Sequence, residues 1–383
     1  MFGLGRKDAV VPARKASAAG RMAALAAGGR GVWASRDTGS LVRMGFQGNP
    51  VGFRAVKLIA EAAAALPMEI RVAGEAVAAH PVADLWSRPN PAQGAGEFLE
   101  GLYGQILLTG DAYVEAAAAG PWPAELFVLR SDRMSVVPGA DGWPVAYDYA
   151  VGGRTHRFQV GAVSPVCHVR SFHPQDDHYG LSPMRAAAGA IEVHNAASAW
   201  SKGLLDNAAR PSGAIVHDGD VPLAPEQFDR LSAELEANHQ GARNAGRPML
   251  LDGGLDWRPM GFSPSDMEFQ EVKAAAAREI ATAFGVPPML LGVPGDATYA
   301  NYAEANRAFF RLTVLPLAAK VLGALSHWLS AHGGEAVSIK VDRDRVEALS
   351  GERTAEWSRI AAAGFLTDDE KRAMLGLSPR PAA

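Results

Sequence analysis

The sequence predicts an α+β protein, with an antiparallel sheet in its first half and long helices in its second half. Between residues 111 and 160, short segments of alternating apolar and polar residues are separated by turn-forming Asp-Gly and Gly-Gly pairs, which is typical of a meander of strands. After residue 180 the apolar residues recur at helical spacing over runs too long for strands. Strands followed by helices, without regular alternation, indicate the α+β class.

The first half is predicted to begin its folded part with a helix from Asn49. Asn49 is a preferred N-cap residue, and Pro50 suits the first helical position. Pro67 ends this helix, and MEIRV follows as a strand. A second helix covers GEFLEGLYGQILLTG, and the strands after it are DAYVEA, ELFVLR, SVVPG, VAYDYAV and HRFQV.

Three long helices are predicted in the second half. Ser182 caps and Pro183 opens the first, Ser263 and Asp266 resemble a capping box before the second, and Pro316 should kink the third. Between the first two lie a short helix, APEQFDRLSAELEANHQ, and the strand segments PSGAIVHDG and RPMLLDGGLDWRPM. The remaining segments are a strand, VSIKV, and two helices, GERTAEWSRIAAAG and TDDEKRAMLG.

Composition and charge exclude several classes of protein. With 48% hydrophobic and 20% charged residues, the 383-residue chain resembles an ordinary folded protein. A net charge of -4 argues against a protein that coats nucleic acid by electrostatic attraction alone. Cys167 is the only cysteine, so no intrachain disulfide forms. No apolar run approaches the roughly 20 residues of a membrane helix, so we expect a cytoplasmic product without a membrane partner.

The sequence lacks the common catalytic motifs. GxxxxGK[ST], HExxH, GxSxG and paired CxxC are all missing, so we expect neither an ATPase nor another enzyme, and no cofactor or metal.

One cluster of polar residues, CHVRSFHPQDDHYG, has two interpretations. Its histidines and carboxylates resemble those that bind a divalent metal or perform acid-base chemistry. A polar loop between a strand and a helix, with Asp176 and Asp177 capping turns, explains the same residues and is favoured because their spacing matches no ligand motif. The cluster contains Cys167, His168, His173, Asp176, Asp177 and His178.

The stretch GVPPMLLGVPGDATYANYA interrupts the helical part of the chain between the second and third long helices. A loop of this length within a compact domain is uncommon unless it is functional. Its glycines would give it conformational freedom, and Pro287, Pro288 and Pro294 would limit it to a few shapes. It is therefore the first candidate for a functional segment.

Several segments, in their order along the chain, resemble a known family. They are NPVGFRAVKLIAEAAAALPMEI, HPVADLWSRPNP, GDAYVE, YGLSPMRAAAGAIE, and EFQEVKAAAAREIATAFGVPPMLLG followed by NYAEANRAFFRLTVLPL. The set resembles the portal proteins of long-tailed bacteriophages. Within that family it is most similar to the portals of gene transfer agents, which are phage-like particles.

The resemblance implies an elongated subunit of a cyclic ring, expected to be a dodecamer. Its parts would be a flexible basic arm at 1–40, an α+β wing at 41–180, a first stem helix at 181–210, a clip at 211–262, a second stem helix at 263–284, a tunnel loop at 285–299, a kinked helix returning to the wing at 300–346 and a small crown at 347–383.

The resemblance also implies a function. The ring would sit at one capsid vertex of a virion or phage-like particle, and double-stranded DNA would pass through it without sequence recognition. A terminase-type packaging ATPase and later a head-tail adaptor would bind the clip, and the major capsid protein would surround the ring. A lumen with a few cations among acidic residues would let DNA slide.

The implied site residues form three groups. The tunnel-loop residues are Val286, Pro287, Pro288, Met289, Gly292, Gly295, Asp296, Thr298 and Tyr299. The channel-lining stem candidates are Glu268, Glu271, Lys273 and Arg278. The clip candidates for motor or adaptor binding are Glu226, Asp229, Arg230, Arg243, Arg247 and Trp257. Two other interpretations stay open: a metal-dependent enzyme that processes DNA through residues 168–178, and another structural subunit of a virion.

Overall fold

The computed structural model describes residues 37–206 except 78 and 119, residues 213–217, 226, 227, 230, 233 and 255–259, and residues 269–294, 299–375 and 377. Over these residues every strand pairing is antiparallel, and helices dominate the second half. The predicted α+β class is confirmed. Of the predicted arm only residues 37–40 are described, and they begin a helix, because the Asp37 carboxylate accepts from the Ser40 amide and caps it.

The helices follow the predicted order. Those of the described residues are α1 Thr38–Val42, α2 Pro50–Ala64, α3 Pro81–Ser87, α4 Ala95–Thr109, α5 Pro183–Ala186, α6 Ala188–Asp206, α7 Phe269–Ala283, α8 Tyr299–Phe309, α9 Leu315–Gly333, α10 Ser350–Ala362 and α11 Asp368–Met374. A π-helix, Arg43–Gln47, continues α1.

The strands form four small sheets. They are β1 Met68–Val72, β2 Glu75–Ala76, β3 Asp111–Ala118, β4 Pro123–Leu129, β5 Met134–Pro138, β6 Pro144–Val151, β7 Arg154–Gln159, β8 Val166–Arg170, β9 Gly213–His217, β10 Leu255–Pro259 and β11 Val337–Val341. The strand orders are β11-β1-β2, β4-β3-β8, β5-β6-β7 and β10-β9. The first sheet therefore joins two segments that are far apart in the sequence.

Helix ends follow the local signals in the sequence. The Asn49 side chain accepts from the amides of Val51 and Gly52, and Pro50 opens α2. The Ser182 hydroxyl accepts from the Arg185 amide at 3.0 Å, as predicted. The predicted long helix after Ser182 is nevertheless interrupted after one turn, because α5 ends at Ala186 and α6 begins at Ala188.

One large core joins the helices to two of the sheets. Helices α2, α4 and α9 contribute many of its fully buried side chains, and strands β3 and β11 pack against them. A second, smaller cluster around Tyr113, Tyr147 and Phe158 joins the sheet β4-β3-β8 to the sheet β5-β6-β7. The first half of the chain is thus attached to the second through shared burial of apolar surface.

The predicted kink at Pro316 takes the form of a change in helix type. Residues Phe310–Val314 are π-helical, and the Leu315 amide donates to the carbonyl of Phe310, five residues back. Proline has no amide hydrogen, and its ring crowds the preceding turn of an α-helix. The wider π turn lies directly before the ring, so Pro316 falls within the first turn of α9.

The sequence prediction about long apolar runs is wrong at one helix. Ala300–Gly333 is long and apolar enough to cross a membrane, by length and composition only. Its Leu322, Leu325 and Leu329 side chains are buried in the main core. These side chains lie on the face of the helix that packs in the folded core.

The free edge of β11 is closed by two serine side chains of α9. The Ser330 hydroxyl accepts from the Val337 amide at 2.8 Å, and the Ser326 hydroxyl accepts from the Ile339 amide at 2.9 Å. These amides point away from β1, so they would otherwise lack a partner beside buried side chains. Unpaired strand edges recruit other chains, so this arrangement also protects the edge.

We predict that Ser326→Ala lowers the free energy of unfolding by about 1–3 kcal/mol, because it leaves the buried Ile339 amide without an acceptor. Urea denaturation measures the change. Ser358→Ala is the matched control. Like Ser326, Ser358 donates its hydroxyl to the carbonyl four residues back in its helix, but Ser358 is exposed. Equal stability of the two variants would contradict the role of Ser326.

Candidate functional site

Helices α6 and α7 form an antiparallel pair. The Trp200 ring, near the end of α6, stacks on the Phe269 ring at the start of α7 with centroids 3.8 Å apart. At the opposite end of the pair, residues of α5 and the first turn of α6 share a groove with Glu279 of α7. The chain therefore leaves the core along α6 and returns along α7.

A buried polar network fixes the base of this pair. The side-chain amide of Asn49 donates to His194 Nδ1 (3.1 Å) and to the side-chain oxygen Oδ1 of Asn195 (2.9 Å). The side-chain amide of Asn195 in turn donates to the backbone carbonyl of Met44. Asn49 and His194 are buried. Burial, with a contribution from the positive charge of Lys273, lowers the pKa of His194, so the ring is neutral and its Nδ1 can accept.

The segment between α6 and α7 contains a strand pair at the far end of the helices. Strands β9 and β10 pair in antiparallel register, with Trp257 opposite Ile215. Of the clip candidates, Glu226 and Arg230 are exposed and helical, and Trp257 lies in β10. Asp229, Arg243 and Arg247 lie outside the described residues, as does the capping box of Ser263 and Asp266.

The candidate loop begins as an ordered, packed segment. Gly285 has a φ of +66° and Gly292 a φ of +73°, and both end helical segments. Between them, residues Pro288–Leu291 form a 3₁₀ turn that Pro287 caps. Val286 is only 2% exposed, so its side chain packs in the core and contributes to no surface. The two glycines are thus needed for positive φ, where other residues are strained.

Two side chains clamp this segment to the helices on either side. The Arg278 guanidinium, on α7, donates to the Pro294 carbonyl at 2.7 Å. The Thr313 hydroxyl, in the π-helix, donates to the Gly285 carbonyl at 2.5 Å. The sequence placed Arg278 among the channel-lining cations, whereas here it holds the end of the loop segment.

The remaining tunnel-loop and stem candidates are placed as follows. Pro287, Pro288 and Met289 are half-buried, Gly292 is exposed, and Tyr299 begins α8. Glu271 is exposed and Lys273 is half-buried on α7. Glu268, Gly295, Asp296 and Thr298 lie outside the described residues.

An apolar groove of about 520 Å³ lies between the start of α6 and α7. On α7 the Ile280 side chain is buried, yet Val272 is 42% exposed because it faces this groove. Val193 on α6 is 39% exposed beside it. The small side chains here leave room for a close-packed neighbour.

The polar cluster of the sequence is divided in the structure, and only its later members, His173, Asp176, Asp177 and His178, line one surface cavity. Cys167 and His168 lie in β8, and His168 Nε2 donates to Asp111 Oδ1 at 2.8 Å, so its partner comes from β3. Asp176 does cap a turn, because its carboxylate accepts from the amides of His178 and Tyr179. Within the described part of the chain, no group of three or more His, Cys, Asp or Glu side chains is arranged to hold a metal ion. Burial raises the pKa of the Cys167 thiol to about 12, which leaves it an unreactive neutral thiol.

Comparison with known proteins identifies the family. The family model for the phage portal protein matches residues 50–376. The chain belongs to the phage portal protein family. It is 25% identical to the portal protein of Enterobacteria phage HK97 over 86% of this chain and 78% of that protein. It is 40% identical to an uncharacterized protein of Rickettsia bellii strain RML369-C over 87% of each chain.

Solved structures of portal proteins share this fold. A chain from the neck of an empty gene transfer agent particle, computed with C6 symmetry, is 66% identical and covers 92% of this chain and 96% of its own length, with a TM-score of 0.74. A chain from the neck of the native particle, computed with C12 symmetry, gives a TM-score of 0.71. An HK97-family portal protein of Corynebacterium diphtheriae, 16% identical, has the same fold with a TM-score of 0.58. The resemblance seen in the sequence is confirmed, and the chain functions as a portal protein, a structural component of phage-like particles.

We predict that Arg278→Ala loosens the loop segment. Losing one exposed charge-assisted hydrogen bond, worth about 0.5–1 kcal/mol, should speed amide exchange at Gly292 and Val293 about two- to fivefold. Arg278→Lys keeps a donor and should exchange like the wild type. Hydrogen-deuterium exchange with mass spectrometry measures these rates, with the neighbouring exposed Glu279→Ala as control. Unchanged exchange rates in Arg278→Ala would show that the hydrogen bond from Arg278 to the Pro294 carbonyl does not restrain the loop segment.

Proposed function

We propose that twelve copies of this portal protein form a ring at one capsid vertex, through which double-stranded DNA enters and later leaves the particle. The observation that carries the proposal is the antiparallel pair α6 and α7, with the strands β9 and β10 at one end and the clamped loop segment at the other. In a cyclic ring such a pair, one from each subunit, builds a tube around the axis. The C12 symmetry of the related neck supports the copy number.

In this proposal the parts of the chain have separate roles. Residues 41–180 and 300–346 form the wing, the stem helices at 181–210 and 263–284 line the channel, and the clip at 211–262 projects beyond them. The tunnel loop at 285–299 forms a collar at the narrowest part of the channel, and residues 347–383 form the crown. Since Val286 is buried, the collar surface would come from the later residues of the loop.

The channel is proposed to bind DNA weakly. DNA carries about one negative charge per 1.7 Å of axis, so a strongly basic tube would hold it in place. Glu271 and Glu279 are exposed on α7, and Arg278 is partly satisfied by the Pro294 carbonyl. With Glu268 and Asp296 added, the lumen would be acidic enough for the duplex to slide.

Each subunit would contact its neighbour along the stem. A closed ring with cyclic symmetry needs two different, complementary faces on every subunit. The apolar groove between α6 and α7, with Val193 and Val272 partly exposed, supplies one such face. Covering it would bury apolar surface that one chain alone leaves in water.

The energy source and the other particle proteins are proposed to be partners. We assign no catalytic role to this chain, because its sequence lacks a phosphate-binding motif and its family is structural. A terminase-type packaging ATPase would bind the clip during filling, and a head-tail adaptor would bind it afterwards. Glu226 and Arg230, exposed in the insert, are the described candidates for this contact. The major capsid protein would surround the wing.

Electron microscopy of the purified protein, together with its mass, tests the proposal. We expect rings with an axial hole and a mass of twelve chains of 40.3 kDa. The decisive counter-result is a compact monomer that cleaves DNA when a divalent metal is added, since this would make the cluster around His173 an active site.

We predict that replacing Glu268 and Glu271 by Lys slows DNA packaging several-fold, because a cationic lumen retains phosphate groups. The amount of nuclease-protected DNA per particle over time measures this. Replacing both Glu347 and Glu356 by Lys, an equal charge change at two exposed positions near α10, is the control. Packaging at the wild-type rate in the double variant would contradict the proposal that acidic residues of the lumen let DNA slide.

A further inference from the structure

A cavity of about 660 Å³ lies on the surface formed by the β5–β6 turn, the segment after β8 and α9. Two large aromatic side chains line it while remaining open to water: Trp143 is 71% exposed and Phe172 is 82% exposed. Burying an aromatic side chain of this size stabilises by about 1.5–3 kcal/mol, so two exposed rings around one cavity indicate a surface that is covered by another segment. We call it the aromatic cavity.

Hydrogen bonds fix the backbone that carries both rings. In the β5–β6 turn the Gly139 amide donates to the Trp143 carbonyl at 2.7 Å, and the Trp143 amide donates to the Asp141 carboxylate at 3.1 Å. Beyond Phe172, the Arg170 guanidinium donates to the Asp177 carbonyl. A surface that is ordered before binding loses little conformational entropy when a partner arrives.

The wall of the aromatic cavity favours a cationic partner. Three carboxylates line the cavity: Asp141 and Asp177 are exposed, and Asp176 is half-buried. They outnumber the Arg and Lys side chains of the lining, which are Arg170, bonded to the Asp177 carbonyl, and Lys320, within electrostatic reach of the buried Asp111. Carboxylates beside aromatic faces attract Arg and Lys, through ion pairing and cation–π contact.

We propose that the aromatic cavity binds the basic segment 1–36 of this same chain. That segment, which lies outside the described residues, contains seven Arg and Lys residues and one Asp, whereas acidic residues exceed basic ones in the rest of the chain. It joins the described structure at α1, which packs on α4 and α5, close in sequence to the Phe172 segment. At about 3.3–3.6 Å per extended residue, 36 residues are long enough to reach the cavity of the same subunit.

The binding would have a physical consequence for the particle. The arm's positive charge would be neutralised on the protein instead of being free to bind the phosphates of the passing DNA. The inference uses only the surface of one subunit, so it does not depend on the ring or the channel.

Site-specific photo-crosslinking in the full-length protein tests the proposal. A photoreactive p-benzoylphenylalanine replaces Phe172, and mass spectrometry identifies the peptides attached to it. We expect peptides from residues 1–36 to be the main products. The same replacement at Phe365, which is 88% exposed on another part of the chain, is the matched control and should give at least tenfold less of these products.

Charge variants make the test specific. Asp141→Asn, which keeps an acceptor for the Trp143 amide, and Asp177→Lys should each lower the yield from position 172 several-fold, as should raising the salt from about 0.05 M to 0.5 M. Main products from any segment other than 1–36, no products at all, or equal yields at positions 172 and 365 would each overturn the proposal. Crosslinking to the arm in a protein that forms no rings would still support it.

Discussion

The placement of the helix pair α6 and α7 depends on the buried side chain of Asn49. Its oxygen caps α2 by accepting from Val51 and Gly52, and its amide group donates to His194 and Asn195 on α6. An amide group offers two donors and an acceptor oxygen, and here both kinds are used in a site that is 1% exposed. No apolar side chain of similar size could replace it, because the partner groups would be left buried without hydrogen bonds. The N-cap residue of α2 is therefore also a fixed point for the base of the helix pair.

Structure that depends on neighbours in sequence could be predicted. Pro50 after Asn49 and Pro183 after Ser182 mark helix starts because cap and first turn are a few residues apart. Strand β11 has the predicted bounds, because Val337, Ile339 and Val341 alternate with polar residues. Thr367 and Glu370 form a complete capping box, which the sequence segment TDDE makes visible.

Contacts between distant residues could not be predicted in this way. Asn49 and His194 are 145 positions apart, and only the fold brings them together. The same limit applies to His168 in the polar cluster. His168 and His173 are close in sequence, but strand alternation and pairing turn His168 towards Asp111 of the neighbouring strand. The glycines Gly285 and Gly292 do mark an unusual segment, but they form fixed turns. The sequence does not show this, because it depends on the position of Thr313, whose hydroxyl donates to the Gly285 carbonyl.

These anchors have a consequence for how the loop would respond to its surroundings. The loop segment is bonded to α7 through Arg278 and to the π-helix through Thr313, so it cannot shift without a change between those two helices. π-Helical turns are rare and are found frequently at functional sites. This one lies directly before Pro316, which has no amide hydrogen, so one backbone hydrogen bond of the helix is missing at this point. In a ring, where every subunit carries the same joint, a symmetric change at the π-helix would reach every copy of the loop segment.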